Sequence, residues 1–195
     1  MSNLNIGIII SSTREARVGR EVAEYIYGIA SKRDDLNFEI IDLRDYSLPR
    51  FNEGTPNDEG SNVNDPIGKE WKAKIKSLDG YIFAVAEYNG GMTGVLKNAL
   101  DYTFVEWMRK PAAYFGYGSL GGARAVQDLR LICTELHMAP LRNAVYLQGV
   151  DFFSVMSGNK KIEEFSYLEP LTNDMLNHLA WWAKSLKEGR KNEVA

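Results

Sequence analysis

Cysteine is nearly absent: Cys133 is the only one in 195 residues. A single thiol excludes an internal disulfide framework and fits a reducing compartment. On the apolar side of a helical pattern it reads as an inert core thiol. Histidine is almost as scarce. His137 and His178 lie in helical patterns without partners at metal-ligand spacing, so no metal is expected. Strong charge of one sign is also lacking, with a formal net charge of −3. Neither nucleic acid nor a membrane surface is therefore expected as a partner. No apolar run is long enough to cross a bilayer. The first one, Leu4 to Ile10, is too short for a secretory signal and has no basic residues before it. These absences together point to a cytoplasmic protein.

What is present suits one globular domain over residues 1–195, since 45% of the residues are hydrophobic. Leu4 to Ile10 is Ile-rich, as in a strand buried on both faces of a parallel sheet. A polar loop follows, then Val22, Ile26 and Ile29 at helical spacing. Asn37 to Leu43 is a second strand. Ser47 to Pro66 holds three prolines and many Asn and Asp, and reads as a mobile flap near the site. Ile67 to Leu78 is a helix, Tyr81 to Ala86 a third strand, and Val95 to about Met108 a helix whose apolar, aromatic surface suggests subunit contact. Pro111 to Phe115 is a fourth strand, and Ala123 to His137 a helix that Pro140 ends. Ala144 to Leu147 is a fifth strand, extended or followed irregularly by Gly149 to Val155. Leu171, Met175, Leu179, Trp182 and Leu186 mark a final helix before a frayed tail from Lys187.

Strands alternating with helices predict an α/β fold of three layers, a doubly wound, five-stranded parallel sheet. The flavodoxin-like order 2-1-3-4-5 is its commonest solution. In that order, the polar loops after strands one, three and four meet in one crevice.

The first loop offers the hydroxyls of Ser11, Ser12 and Thr13, the guanidinium groups of Arg14 and Arg17, and helix-start N–H groups around Val18 and Gly19. That set suits a phosphate. It is neither a Walker A loop nor the Gly-x-Gly-x-x-Gly fingerprint. The second loop, Glu87-Tyr88-Asn89-Gly90-Gly91, supplies an aromatic ring, an amide and backbone open to close approach. The third repeats that logic with Gly118, Ser119, Gly121 and Gly122. Together they describe a site for a flat, polar-edged ring on a phosphorylated tail, and flavin mononucleotide (FMN) fits it. Asp101 and Arg124 are expected to form a structural or intersubunit pair rather than to contact cofactor. No convincing catalytic acid, base or nucleophile stands out.

Three motifs carry a family resemblance: Ser11-Ser12-Thr13-Arg14; Glu87 to Gly91 with Gly94-Val95-Leu96-Lys97-Asn98-Ala99-Leu100-Asp101; and Gly121-Gly122-Ala123-Arg124-Ala125 with Leu129-Arg130. The chain resembles the NADPH-dependent FMN reductases, which include azoreductases and quinone reductases. The resemblance implies bound FMN, NAD(P)H as co-substrate, a small acceptor such as a flavin, quinone or azo compound, and a homodimer or homotetramer. It also implies that Ser12 and Arg14 hold the FMN phosphate, that Glu87, Tyr88, Asn89 and Gly90 line the ring, and that Gly118 and Ser119 meet its pyrimidine edge. Ser11 stands where the family has glycine, Ala86 where it has proline, and Arg17 where it has serine. Arg17 thus either adds a phosphate contact or points to solvent. A non-enzymatic electron carrier and a flavin-binding module are the alternative readings.

Overall fold

A computed structural model describes residues 4–54 and 63–191. Five strands, β1 (Leu4–Ile10), β2 (Leu36–Asp42), β3 (Gly80–Ala86), β4 (Pro111–Gly118) and β5 (Ala139–Gln148), pair in parallel in the order β2-β1-β3-β4-β5. Six helices connect and cover them: α1 (Gly19–Ala30), α2 (Pro66–Lys76), α3 (Gly94–Asp101), α4 (Ala123–Glu135), α5 (Gly149–Met156) and α6 (Leu168–Lys191). The expected architecture and strand order are both present.

Alternation along the strands divides the core into two layers. Ile6, Ile8 and Ile10 of β1, with Ile82 and Ala84 of β3, pack against α1 and α6. Ile9, Tyr81, Phe83 and Val85 point the other way, onto α2, α3 and α4. All nine are fully buried, and burying each large side chain contributes roughly 1.5–3 kcal/mol over leaving it in water.

Several boundaries differ from the sequence expectation. The helix expected over Val95 to Met108 stops at Asp101. After it, tight turns bring Trp107 back into the core, 4.6 Å from the Tyr81 ring. Leu96, Leu100, Tyr102 and Trp107 are at most 1% exposed within this one chain. Their apolar character therefore serves the chain's own core, and the subunit contact inferred from it loses that support. β4 runs on to Gly118, and β5 starts at Ala139 with Pro140 inside it. β5 pairs on one side only, and an edge strand tolerates proline. Gly149 to Val155 is helical, not irregular. The expected frayed tail, Lys187 to Ala195, is helical as far as Lys191, where Lys187 and Arg190 bind the buried Asp79 at 2.5 and 3.0 Å, and residues 192–195 lie outside the described residues.

The flap reading of Ser47 to Pro66 holds for neither described flank. Asn98 of α3 donates to the Pro49 carbonyl and accepts from the Phe51 N–H, each at 2.8 Å. The Phe51 ring sits edge-on to Tyr102, and Val63 is buried. Asp65 caps α2 by accepting from the Gly68 N–H at 2.8 Å, with Pro66 in the first helical position. The rest of that expectation, on residues 55–62, lies outside the described residues.

Candidate functional site

The loops after β1, β3 and β4 meet over the carboxyl ends of three adjacent strands, around a cleft of ≈ 290 Å³. Eight predicted residues line it: Ser12, Arg14, Arg17, Val18, Glu87, Tyr88, Gly118 and Ser119. Gly19 lies buried beside it at the start of α1, and Asn89 and Gly90 form the adjoining turn.

The first loop is anchored from within. Ser11 is fully buried: its hydroxyl accepts from the Ala86 N–H at 2.9 Å, and its carbonyl accepts from the Thr93 hydroxyl. Ser11 thus ties the first loop to the second, and its position there accounts for a side chain where the family has none. Thr93 also caps α3, accepting from the Leu96 N–H at 3.2 Å. Arg17 neither points to solvent nor stands free for a ligand. Both terminal nitrogens bind Asp42 at the end of β2, and one also donates to the Ser12 carbonyl at 2.8 Å. Arg17 is therefore a brace under the loop. Arg14 remains exposed, with its guanidinium 5.8 Å from the Tyr88 ring centroid.

No side chain caps α1. The first N–H groups of a helix lack intrahelical partners, and together with the helix dipole they favour an anion. Beside them lies the Tyr117 hydroxyl, buried and without a hydrogen-bond partner. Burial pushes its pKa up, so it stays a donor. The Ser12 and Tyr88 hydroxyls meet at 2.5 Å. An uncapped helix start, an orphaned buried hydroxyl, Ser12 and Arg14 are the donor set that a phosphate monoester such as that of FMN requires.

In the second loop, Tyr88 and Gly91 exchange backbone hydrogen bonds of 3.0 and 3.1 Å. Asn89 and Gly90 between them both have positive φ, 53° and 87°, as the two central residues of a type I′ turn must. Glu87 lines the cleft, but its carboxylate binds the Arg124 guanidinium and accepts from the Arg124 N–H at 3.1 Å. Burial would raise the Glu87 pKa, and the bonds to Arg124 more than offset it, so the group is held below the usual range. Within the chain the expected Asp101–Arg124 pair is absent: Asp101 binds Lys97, one turn away, at 2.7 Å. In the third loop, Gly122 starts α4 at φ 70°, where a Cβ would lie 2.9 Å from the Tyr117 nitrogen. That glycine serves packing, while Gly118 and Ser119 face the cleft.

Sequence reasoning missed one wall. Phe152, Phe153 and Met156 of α5 line the cleft, with Tyr117 at their foot. The spacing of Phe152, Val155 and Met156 was the available signal, in a segment too short for its periodicity to be distinctive. Among the described residues no group of three His, Cys, Asp or Glu could hold a metal ion, and no helix is long and apolar enough to cross a membrane.

Comparison with known proteins agrees with this geometry. The family model for NADPH-dependent FMN reductase matches residues 4–151. An NAD(P)H-dependent FMN reductase of a Nectria species is 34% identical over 169 residues, covering 82% of this chain and 84% of that one. An NADPH azoreductase of a Bacillus species (strain OY1-2) is 27% identical over 191 residues, covering 96% and 97%. Among solved structures, FerB of Paracoccus denitrificans, a flavoenzyme NAD(P)H:(acceptor) oxidoreductase, shares the fold. Its TM-score is 0.70 at 19% identity, over 93% of this chain and 98% of that one. The chain belongs to the NADPH-dependent FMN reductase family and is a flavin-dependent oxidoreductase with FMN as cofactor and NAD(P)H as co-substrate.

Proposed function

We propose that the three-loop cleft holds FMN and that the enzyme passes reducing equivalents from NAD(P)H to a quinone or azo compound, or to a free flavin. The observation that carries this reading is the convergence of an uncapped helix start, the orphaned Tyr117 hydroxyl and Ser12 on one cleft. FMN held there would supply the redox chemistry, as a two-electron carrier between the nicotinamide and the acceptor. This chain's residues bind and orient. Ser12, Arg14 and the N–H groups of Val18 and Gly19 hold the phosphate, and Arg17 keeps the loop in place through Asp42. Glu87, Tyr88, Asn89 and Gly90 wall the ring. Glu87 does so through its stem, since its carboxylate is engaged at the start of α4. Gly118 and Ser119 offer backbone and hydroxyl groups to the pyrimidine edge. The backbone N–H groups of Asn89 and Gly90, at the tip of that turn, would favour negative charge on a ring held there.

The apolar α5 wall supports a flat, weakly polar acceptor, in keeping with the azoreductase relative. Leu120, Val150, Phe153 and Met156 are large apolar residues, each about half exposed or more, on or next to the segments lining the cleft. They support a homodimer or homotetramer in which a second copy covers this rim. The single buried cysteine supports a cytoplasmic setting.

Steady-state oxidation of NADPH or NADH with a benzoquinone or an azo dye tests the reading. Parallel lines in double-reciprocal plots are expected, because nicotinamide and acceptor use the same face in turn. An electron carrier or a mere flavin-binding module would give no sustained turnover, and that result would reject the enzymatic reading of this cleft.

A further inference from the structure

Tyr88 belongs to the second loop, where its backbone exchanges hydrogen bonds with Gly91. Its side chain reaches back to the first loop, 76 residues earlier, and its hydroxyl meets Ser12 Oγ at 2.5 Å. The family resemblance assigns Tyr88 to the flavin ring and Ser12 to the phosphate. The geometry joins the two, so the polar tip of Tyr88 stands at the end assigned to the phosphate. The Arg14 guanidinium, from the same loop as Ser12, lies 5.8 Å from the centroid of the Tyr88 ring, within reach of a cation–π contact.

Ser12 is held from behind. Arg17 donates to its carbonyl at 2.8 Å, and the hydroxyl of the preceding Ser11 accepts from the Ala86 N–H at 2.9 Å. Ser12 is 1% exposed, yet it lines the cleft. Its backbone is thus fixed, and the rotation of its hydroxyl is what stays adjustable.

The direction of the Ser12–Tyr88 bond follows from the number of protons available. Each hydroxyl has one proton to donate and lone pairs with which to accept. Either can be the donor in the bond they share. If Ser12 donates to Tyr88, its only proton is spent, and it presents lone pairs to an anion, which is repulsive. If Tyr88 donates, Ser12 keeps its proton for the anion, and the two bonds in series polarise each other. A phenol is also a stronger acid than an aliphatic alcohol, and hence the stronger donor. Acidity and the charge of a phosphate favour the same direction.

We propose that Tyr88 is a positioning residue for the FMN phosphate: its hydroxyl donates to Ser12 Oγ and so turns the one Ser12 proton onto a phosphate oxygen. Tyr88 thereby raises the preference of the cleft for a phosphorylated flavin over riboflavin. No proton leaves either side chain, and no redox step is involved. The proposal rests on the reading of this cleft as the FMN site.

Tyr88→Phe removes the hydroxyl and keeps the ring. The full chain, stripped of flavin, is titrated by fluorescence with FMN and with riboflavin as wild type, Tyr88→Phe, Ser12→Ala and the double variant. Tyr88→Phe should weaken FMN about fivefold, the size of one hydrogen bond, and leave riboflavin nearly unchanged. In Ser12→Ala the same substitution should leave FMN affinity nearly unchanged too, because Tyr88 acts through Ser12. A hydroxyl that merely supports the loop would weaken both flavins alike, with or without Ser12. Unchanged FMN affinity in Tyr88→Phe, an equal loss for riboflavin, or an equally large FMN loss in the Ser12→Ala background would each overturn the proposal while leaving FMN in the cleft. A wild-type chain that binds neither flavin would remove the FMN reading itself, and the proposal with it.

Discussion

Gly19→Ala tests whether the start of α1 is held where the phosphate site needs it. A Cβ at Gly19 would lie 2.5 Å from the Tyr117 hydroxyl and 3.0 Å from Cγ2 of Ile10. Both neighbours are buried, Tyr117 at 4% exposure and Ile10 at 0%, so the helix start must move. Overpacking of this kind costs typically 1–3 kcal/mol. Alanine's helix propensity recovers at most about 1 kcal/mol, and less at the first helical position. A net loss of about 1–2 kcal/mol lowers Tm by roughly 2–8 °C in a chain of this size. The displaced N–H groups should weaken FMN binding as well. Differential scanning calorimetry of the FMN-free protein reads the first effect, and fluorescence titration with FMN the second. Adding Tyr117→Phe removes the closest contact and should restore most of the lost Tm. It should not restore FMN affinity fully, because the phosphate loses the Tyr117 donor. A Gly19→Ala protein as stable as wild type, or a double variant with no recovery, would refute the packing argument.

Other perturbations separate the remaining roles. Arg14→Ala should weaken FMN about tenfold, the size of one charge-assisted hydrogen bond. It should leave riboflavin, which lacks the phosphate, nearly unaffected in parallel titrations. Burial pushes the Lys110 pKa down from 10.5 to about 7 on folding, so between those values the unfolded chain binds the extra proton. Stability contributed by this group therefore rises from pH 7 towards pH 10.5 and is lost as pH falls back, by up to roughly 4–5 kcal/mol. Lys110→Met should flatten that slope in urea denaturation, and an unchanged slope would reject the assignment. Burial pushes the Cys133 thiol up to about 12. It should react with a thiol reagent only after unfolding, and rapid reaction of the native protein would contradict its placement.

Much of the fold was legible because both faces of the parallel strands are covered. Ile6 to Ile10 and Tyr81 to Ala86 are near-continuous apolar runs, the pattern of strands buried on both faces. The three loops were legible for the same reason, since polar and glycine-rich residues interrupt those runs at their ends. The partners of the loop residues were not. Arg17 meets Asp42 25 residues away, Glu87 meets Arg124 37 away, and Ser12 meets Tyr88 76 away. Such pairs arise from the order of the strands, and no local pattern encodes them. The Val95 to Met108 helix was overextended because an apolar residue turned into the core looks, in sequence, like one facing a subunit. The α5 wall was missed because two turns of helix carry too little periodicity to separate them from an irregular apolar stretch.

The most direct test of the central claim is anaerobic spectroscopy of the purified protein with FMN and NADPH. The account predicts one FMN bound per chain, a flavin absorption band bleached by NADPH, and recovery of that band when a quinone is added. A chain that takes up no FMN, or whose bound FMN stays oxidised under NADPH, would contradict it.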